Sequence, residues 1–209
     1  MPPYNWPKEP INIIQKFETR HSHPDAGALF AWAVWAVWAV ECLHYLDDVD
    51  RAFDVSQTTA AGHRPDVVDV AHARWATGTC ITALDLCAAG LGRALCGHTG
   101  ARELDLGDFD LSGKPSDQIR ARRARLALKA QQWLDNVLAD PDYKAVKSAR
   151  NWLTHSRLKR HFVLSAGGPP QRLSLELPPN KLPVRQLIEM TRDLATRRVS
   201  DFLKILPHL

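Results

Sequence analysis

The stretch that decides the fold is Arg150-Asn151-Trp152-Leu153-Thr154-His155, inside the longer run 142–160. Asp140 and Pro141 stand just before this run. Asp as the N-cap with Pro at the first helical position is a typical helix start, so we expect a helix here. At about 100° per residue, four polar side chains share one face of that helix: Lys144, Ser148, Asn151 and His155.

The apolar members of the same run predict a second, packed face. They are Tyr143, Val146, Trp152 and Leu153. Trp152 lies well off the polar face, so the helix can bury this indole and still expose an imidazole. Arg150 is about 140° from His155 around the helix, and only its long guanidinium arm can reach back toward the ring.

Arg150, Asn151 and His155 resemble the motif of the HEPN superfamily. That motif is an arginine, a polar residue (often asparagine), a few spacers and a histidine, on a late helix of an α-helical bundle. After it, 161–165 and 172–177 are typical of two short strands around Ala-Gly-Gly-Pro-Pro, and a long helix follows. Some bacterial HEPN proteins have this order. The resemblance covers about the last third of the chain.

The fold class that we expect is mainly α: one HEPN-like domain over 1–209, built as a bundle of about five long helices with a small β-hairpin before the last one. The hairpin occupies 160–178. Residues 1–24 are interpreted as an N-terminal extension, and the Gly- and Asp-rich residues 98–115 as a mobile surface loop. The other helices are predicted at 26–40, 66–95, 116–138 and from Pro183 to the C-terminus.

Residues 26–40 are apolar throughout and include Trp32, Trp35 and Trp38. Fifteen residues are short of the roughly 20 needed to span a bilayer, and acidic residues follow at once. We therefore expect no membrane partner, and a helix that is buried on most sides in a core or a dimer interface. A purely structural helical protein, or one attached peripherally to a membrane by this helix, stays open as an alternative.

Composition permits a nucleic-acid partner but does not require one. The chain has 209 residues and a net charge of +4, and its pI of about 9.0 is mildly basic. Four cysteines stand in apolar helical runs without a Cys-x-x-Cys pair, which is typical of free thiols in a reducing cytoplasm. The first residues lack the pattern of a signal peptide, so we expect a cytoplasmic protein.

Glu41 and His44 have the Glu-x-x-His spacing of di-iron bundles, which need a second such pair. Asp69 and His72 imitate one, but Asp is not the usual ligand in that motif. We therefore expect no metal site and no cofactor.

The resemblance implies a metal-independent endoribonuclease, in which a ribose 2′-hydroxyl attacks the adjacent phosphorus. His155 would exchange protons near neutral pH, and Arg150 would hold phosphate oxygens in its planar fork. Asn151 would position the imidazole or the phosphate. Since one motif supplies one histidine, we expect a homodimer with two motifs facing one cleft. The predicted nucleic-acid contacts are Lys147, Arg157, Lys159 and Arg160.

Other interpretations remain open. His155 can simply end a helix, where an imidazolium favours the helix dipole, and the basic residues after it can be solvated. The same residues would serve a non-catalytic HEPN-like module that binds a nucleotide or a protein. For the ribonuclease, the resemblance implies a toxin or phage-defence role, with RNA as substrate and an antitoxin or another protein as partner.

Overall fold

A computed structural model describes residues 31–45, 65–155, 176–177 and 182–209, with the backbone alone at 65–70, 155, 176–177 and 183. This part of the chain is mainly α, which confirms the predicted class. Its six helices are α1 (31–45), α2 (Pro65–Cys96), α3 (Asp117–Arg125), α4 (Leu128–Ala139), α5 (Pro141–His155) and α6 (Val184–Ile205). Short 3-10 turns cover Leu106–Phe109 and Leu206–His208.

The core lies around α2 and α6, which pack against each other, and α5 contacts both. α4 closes the bundle against α5 and α6. Both central helices match their predictions closely, because most of their apolar residues recur at helical spacing and are buried, although Trp75 of α2 is 67% exposed. Fully buried members include Leu84, Leu91, Leu187, Leu194 and Phe202. Each such side chain contributes about 2 kcal/mol of burial free energy.

Only one face of α1 is buried in the core. Ala33, Val37 and Val40 are fully buried, whereas Trp35 and Trp38 are 50% and 52% exposed. Within the described residues the bundle covers a single stripe of α1, so the core of one chain does not bury this helix on most sides, and its burial in a dimer interface stays a prediction. The imidazole Nε2 of His44 lies 3.0 Å from Thr196 Oγ1 and links this helix to α6.

The single helix predicted over 116–138 is wrong, because the chain breaks into α3 and α4. Ser116 caps α3 as expected, its hydroxyl accepting the N–H of Ile119 at 3.3 Å. Leu126 then adopts an extended backbone and its side chain is buried. The side-chain amide of Gln131 donates to the carbonyl of Leu126 at 2.9 Å. This hydrogen bond satisfies a carbonyl at the C-terminal end of α3, where the helix supplies no partner.

The segment 98–115, interpreted as a mobile surface loop, contributes three side chains to the core. Leu104, Leu106 and Phe109 are all at most 2% exposed, so the surface interpretation is wrong for them. Gly92 of α2 makes room for this approach, since a Cβ there would lie 2.7 Å from Leu104 Cδ1. The mobility of the segment stays a prediction, against which these buried side chains argue.

The two described strands form a minimal antiparallel pair, β1 (Glu176–Leu177) with β2 (Leu182–Pro183). The predicted first strand, 161–165, lies outside the described residues, as do the extension 1–24 and most of 160–178. The hairpin as predicted therefore stays a prediction.

α2 carries the one candidate membrane span among the described residues, Ala71–Cys96, with a mean hydropathy of 1.3. Of the apolar 18-residue window in this segment, 61% is buried inside the bundle. This burial is what the core helix of a soluble protein shows, and length and composition alone are weak evidence for a span.

Candidate functional site

The start of α5 is held in place by Asp140. Its Oδ1 accepts the N–H of Asp142 at 2.9 Å, and its carbonyl accepts the N–H of Lys144 at 3.2 Å. The predicted cap and the Pro141 start are thereby confirmed. The other carboxylate oxygen of Asp140 binds Arg197 and Arg198 of α6, so the same side chain fixes α5 on its neighbour.

The buried stripe of α5 consists of Tyr143, Val146, Ala149 and Leu153, all at most 5% exposed. Trp152, predicted as a core aromatic, is only partly buried and packs at the edge of the core. The helix is rotated so that Ala149 and Leu153 point inward. The indole therefore lies at the boundary between the packed face and the solvent.

Three predicted site residues are described with their side chains, and all three are exposed: Lys147, Arg150 and Asn151. Arg150 Nη1 donates to Asn151 Oδ1 at 3.2 Å. Thr154 donates its hydroxyl to the carbonyl of Arg150 at 2.7 Å. The ammonium of Lys147 lies 5.5 Å from the centre of the Tyr143 ring, within the range of a cation–π contact. These three predicted site residues thus present two cations and an amide to the solvent, and Lys144 adds a third exposed cation on α5.

The remaining predicted residues cannot be placed around this surface. His155 is the last residue of α5, and only its backbone is described. Arg157, Lys159 and Arg160 lie outside the described residues. Their roles stay predictions, while the helical position of His155 relative to Arg150 and Asn151 is as predicted.

Asp85 of α2 is a titratable residue near this face that the motif did not indicate. Burial raises its pKa to about 6, although the N–H of Leu106 and the charges of Lys147 and Arg150 act in the opposite direction. Its Oδ1 accepts the Leu106 N–H at 3.1 Å. A carboxyl group with this pKa exchanges protons near neutral pH. The only sequence signal was a lone carboxylate inside the apolar run of α2.

Tyr143 is the buried neighbour of this carboxyl group. Burial and then the negative charge of Asp85 raise the pKa of the Tyr143 hydroxyl well above its usual range. The phenol therefore stays neutral at physiological pH. It is therefore a poor general base. Its ring faces the ammonium of Lys147 in the cation–π contact described above.

The arginines of α3, a second candidate phosphate surface, are largely committed to internal contacts. Arg122 Nη1 lies 3.3 Å from Asp108, and Arg125 Nη1 donates to the carbonyl of Cys96 at 3.2 Å. Arg123 is buried and paired with Asp135. These side chains hold α3 against the segment before it and against α4, so they offer few free donors to a ligand.

Among the described residues, no group of three or more His, Cys, Asp or Glu side chains is placed to hold a metal ion. His44 of the Glu-x-x-His pair instead contacts Thr196. The donor set that a di-iron site requires is therefore not assembled in this part of the chain.

No family model, curated protein or solved structure matches the chain. The function has to be inferred from the residues and their geometry. The exposed face of α5, with Asp85 behind it, is the group of residues on which that inference rests.

Proposed function

We propose that this protein is a HEPN-like, metal-independent endoribonuclease that uses Arg150 and His155. One observation supports the proposal most strongly. α5 exposes Lys147, Arg150 and Asn151 on its solvent face, and the two cations lie close enough to lower the pKa of Asp85, a part-buried carboxyl group that titrates near 6. Transesterification of RNA requires cations for the phosphate and groups for proton transfer. Lys147 and Arg150 are the cations, and proton transfer is proposed for His155, while Asp85 lies behind this face and takes no part in the proposed reaction.

The reaction is an attack of the ribose 2′-oxygen on the adjacent phosphorus. The base takes the 2′-hydroxyl proton, the new O–P bond forms, and the bond to the 5′-oxygen breaks. An acid then protonates that leaving oxygen. The products are a 2′,3′-cyclic phosphate and a 5′-hydroxyl. No oxidant, metal or cofactor enters this balance.

Each side chain has a stated task. The Arg150 guanidinium binds two nonbridging phosphate oxygens, and Asn151 Oδ1 orients it through the 3.2 Å hydrogen bond. His155 exchanges the proton with the ribose or the leaving group. Lys147, Arg157, Lys159 and Arg160 contact neighbouring phosphates, which position the strand without reading its sequence.

The active form is proposed to be a homodimer, because acid and base both need a group and one motif has one histidine. The half-exposed Trp35 and Trp38 of α1 supply apolar surface for such an association. A partner antitoxin or another protein, a toxin or phage-defence role and a cytoplasmic location complete the proposal. The β-hairpin over 160–178 is proposed to border the cleft.

The experiment is cleavage of mixed-sequence RNA in EDTA, with end-group analysis of the fragments. We expect 2′,3′-cyclic phosphate ends and undiminished activity without divalent metal. Sedimentation at micromolar concentration should show a dimer. If the wild type leaves RNA intact and instead binds a nucleotide or a protein in an Arg150-dependent way, the non-catalytic binding module is the correct function.

A further inference from the structure

A groove of about 460 Å³ lies between α4 and α6, on a part of the bundle that none of the predicted site residues lines. This volume is in the range of sites for small ligands. Its polar walls come from Lys129, Gln132 and Asn136 of α4 and from Arg198, Lys204 and His208 of α6 and the turn that follows it.

The α4 wall is a row of uncommitted side chains. Lys129, Gln132 and Asn136 stand at positions i, i+3 and i+7, so they share one face and span about 10 Å along the helix. All three side chains are exposed, and none of them makes a hydrogen bond or an ion pair with the described residues. This contrasts with Arg122 and Arg125 of α3, each of which donates to another part of the protein.

The α6 wall adds cations whose internal contacts are incomplete. Arg198 gives Nε and Nη2 to Asp140, which leaves Nη1 only a loose 3.7 Å approach to Asp201. Lys204 pairs with the same Asp201 at 3.0 Å, but the lysine is 70% exposed, and such surface pairs are weak. The groove residues thus include three cations and the carboxylate of Asp201, and one of the cations, Arg198, is already paired with Asp140 behind the groove.

The floor of the groove is fixed before any ligand arrives. Trp133 is almost fully buried and donates its indole N–H to the carbonyl of Arg198 at 2.8 Å. Its ring also packs on Phe202, with 5.0 Å between ring centres. A rigid floor lowers the entropic cost of holding a ligand between the polar walls.

We propose that this groove binds phosphate groups, with Lys129, Arg198 and Lys204 as the cations and Gln132 and Asn136 as amide donors. The row of one lysine and two amides extends about 10 Å along α4 and faces two cations of α6, which fits a linear chain of phosphates better than a single compact anion. A free oligophosphate and the backbone of RNA share this chemistry. The site uses no residue of α5, so the test of phosphate binding is independent of the test of the proposed ribonuclease activity.

The test is isothermal titration of the full-length protein with tripolyphosphate at low ionic strength. Lys129→Ala combined with Lys204→Ala should weaken binding roughly 10- to 30-fold, since each lost charge contact near water is worth a factor of about five. The matched control combines Lys114→Ala with Lys144→Ala, which also removes two exposed lysines but leaves the groove intact. We expect that variant to bind like the wild type.

A second arm identifies the source of the phosphates. Single-stranded RNA that competes with tripolyphosphate, and loses affinity in the Lys129/Lys204 variant, assigns the groove to an RNA backbone. Tripolyphosphate binding without RNA competition assigns it to a free oligophosphate. Absence of saturable binding, or an equal loss in the groove variant and the control, would overturn the proposal. So would binding that depends on Arg150 but not on Lys129 and Lys204.

Discussion

The carboxylate of Asp140 holds the guanidinium of Arg198, with Oδ2 2.9 Å from Nε and 2.5 Å from Nη2. Arg197 Nη2 binds the same oxygen at 3.0 Å. Burial alone would raise the pKa of Asp140, but the bonds from Arg198, the Asp142 N–H and Arg197 outweigh it and hold the pKa below its usual range. One side chain thus caps α5 and attaches it to α6.

Asp140→Asn should lower the free energy of unfolding by roughly 3 kcal/mol, because it leaves the Arg198 charge without its buried partner. Urea unfolding at pH 7 measures this. Asp142→Asn is the control, since Asp142 also binds Arg197 but is more exposed, and its loss should cost less than about 1 kcal/mol. Equal effects of the two variants would contradict the central role of Asp140.

The pH dependence of the Asp140 contribution follows from its lowered pKa. The stabilisation is fully present above the ordinary carboxyl pKa of about 4 and is lost as the pH falls toward the lower folded value. The difference between wild type and Asp140→Asn should therefore shrink only in acid. A difference that already fades between pH 7 and 5 would assign the effect to another group.

Asp85 should behave in the opposite sense. Its folded pKa of about 6 is above the ordinary value, so the folded state binds the proton more tightly than the unfolded state. The protonated form is favourable at low pH, and this advantage is lost as the pH rises through 6. Asp85→Asn should thus stabilise the fold by roughly 1–3 kcal/mol at pH 8 and by little at pH 4.

Denaturant unfolding at the two pH values measures the Asp85 effect. The amide of the variant keeps an acceptor for the Leu106 N–H, so the change reports mainly the charge. Asp105→Asn is a poor control, because the negative charge of Asp105 itself contributes to the raised pKa of Asp85. Glu189→Gln is a better one, because Glu189 is an exposed carboxylate on α6 that makes no side-chain hydrogen bond or ion pair within the described residues. A destabilised Asp85→Asn at pH 8 would show that the carboxylate is favourable in the fold.

Local signals predicted several elements correctly, because those elements depend on neighbours in the sequence. Asp140 and Pro141 define the start of α5, and the apolar spacing of α2 and α6 defines their buried faces. The turn at Leu126 was missed. This turn depends on the burial of the Leu126 side chain in the core and on the pairing of Arg123 with Asp135. Neither contact is indicated by the neighbouring residues in the sequence.

The candidate site likewise combines features that the local sequence predicts with features that depend on packing between helices. The exposure of Arg150 and Asn151 follows from helical periodicity, and their mutual hydrogen bond follows from adjacency. Asp85 lies more than sixty residues earlier, and its pKa is set by burial and by cations on another helix. Such a group is found only when the packing of α2 against α5 is known.

Alanine variants of Leu153 and Trp152 should show that burial, rather than side-chain size, determines the loss in unfolding free energy. Leu153 is 4% exposed, so Leu153→Ala should lower the free energy of unfolding by roughly 2–4 kcal/mol. Trp152 is only partly buried, and Trp152→Ala should cost less than the roughly 3–5 kcal/mol of a fully buried indole. Chemical denaturation of both variants measures this order. A Trp152 variant less stable than the Leu153 variant would place the indole deeper in the core.

The sharpest prediction concerns the reaction itself. His155→Ala should lower RNA cleavage by on the order of 10²–10⁴-fold, because the reaction loses its proton-transfer group. Arg150→Lys should also lose most activity, since an ammonium keeps the charge but not the two-pronged hydrogen bonding to phosphate. Arg150 is exposed, so its variant should unfold like the wild type in urea. The assay is cleavage in EDTA with detection of the cyclic phosphate.

Lys144→Ala serves as the control for that assay, because Lys144 is an exposed cation on the same helix. Its cleavage rate should stay within about two-fold of the wild type, because Lys144 lies about 9 Å from Arg150 along the helix axis and one exposed charge at that separation is largely screened by salt. Undiminished cleavage by both His155→Ala and Arg150→Lys would refute the catalytic assignment. Equal losses in all three variants would instead indicate that the basic face of α5 acts only through its charge.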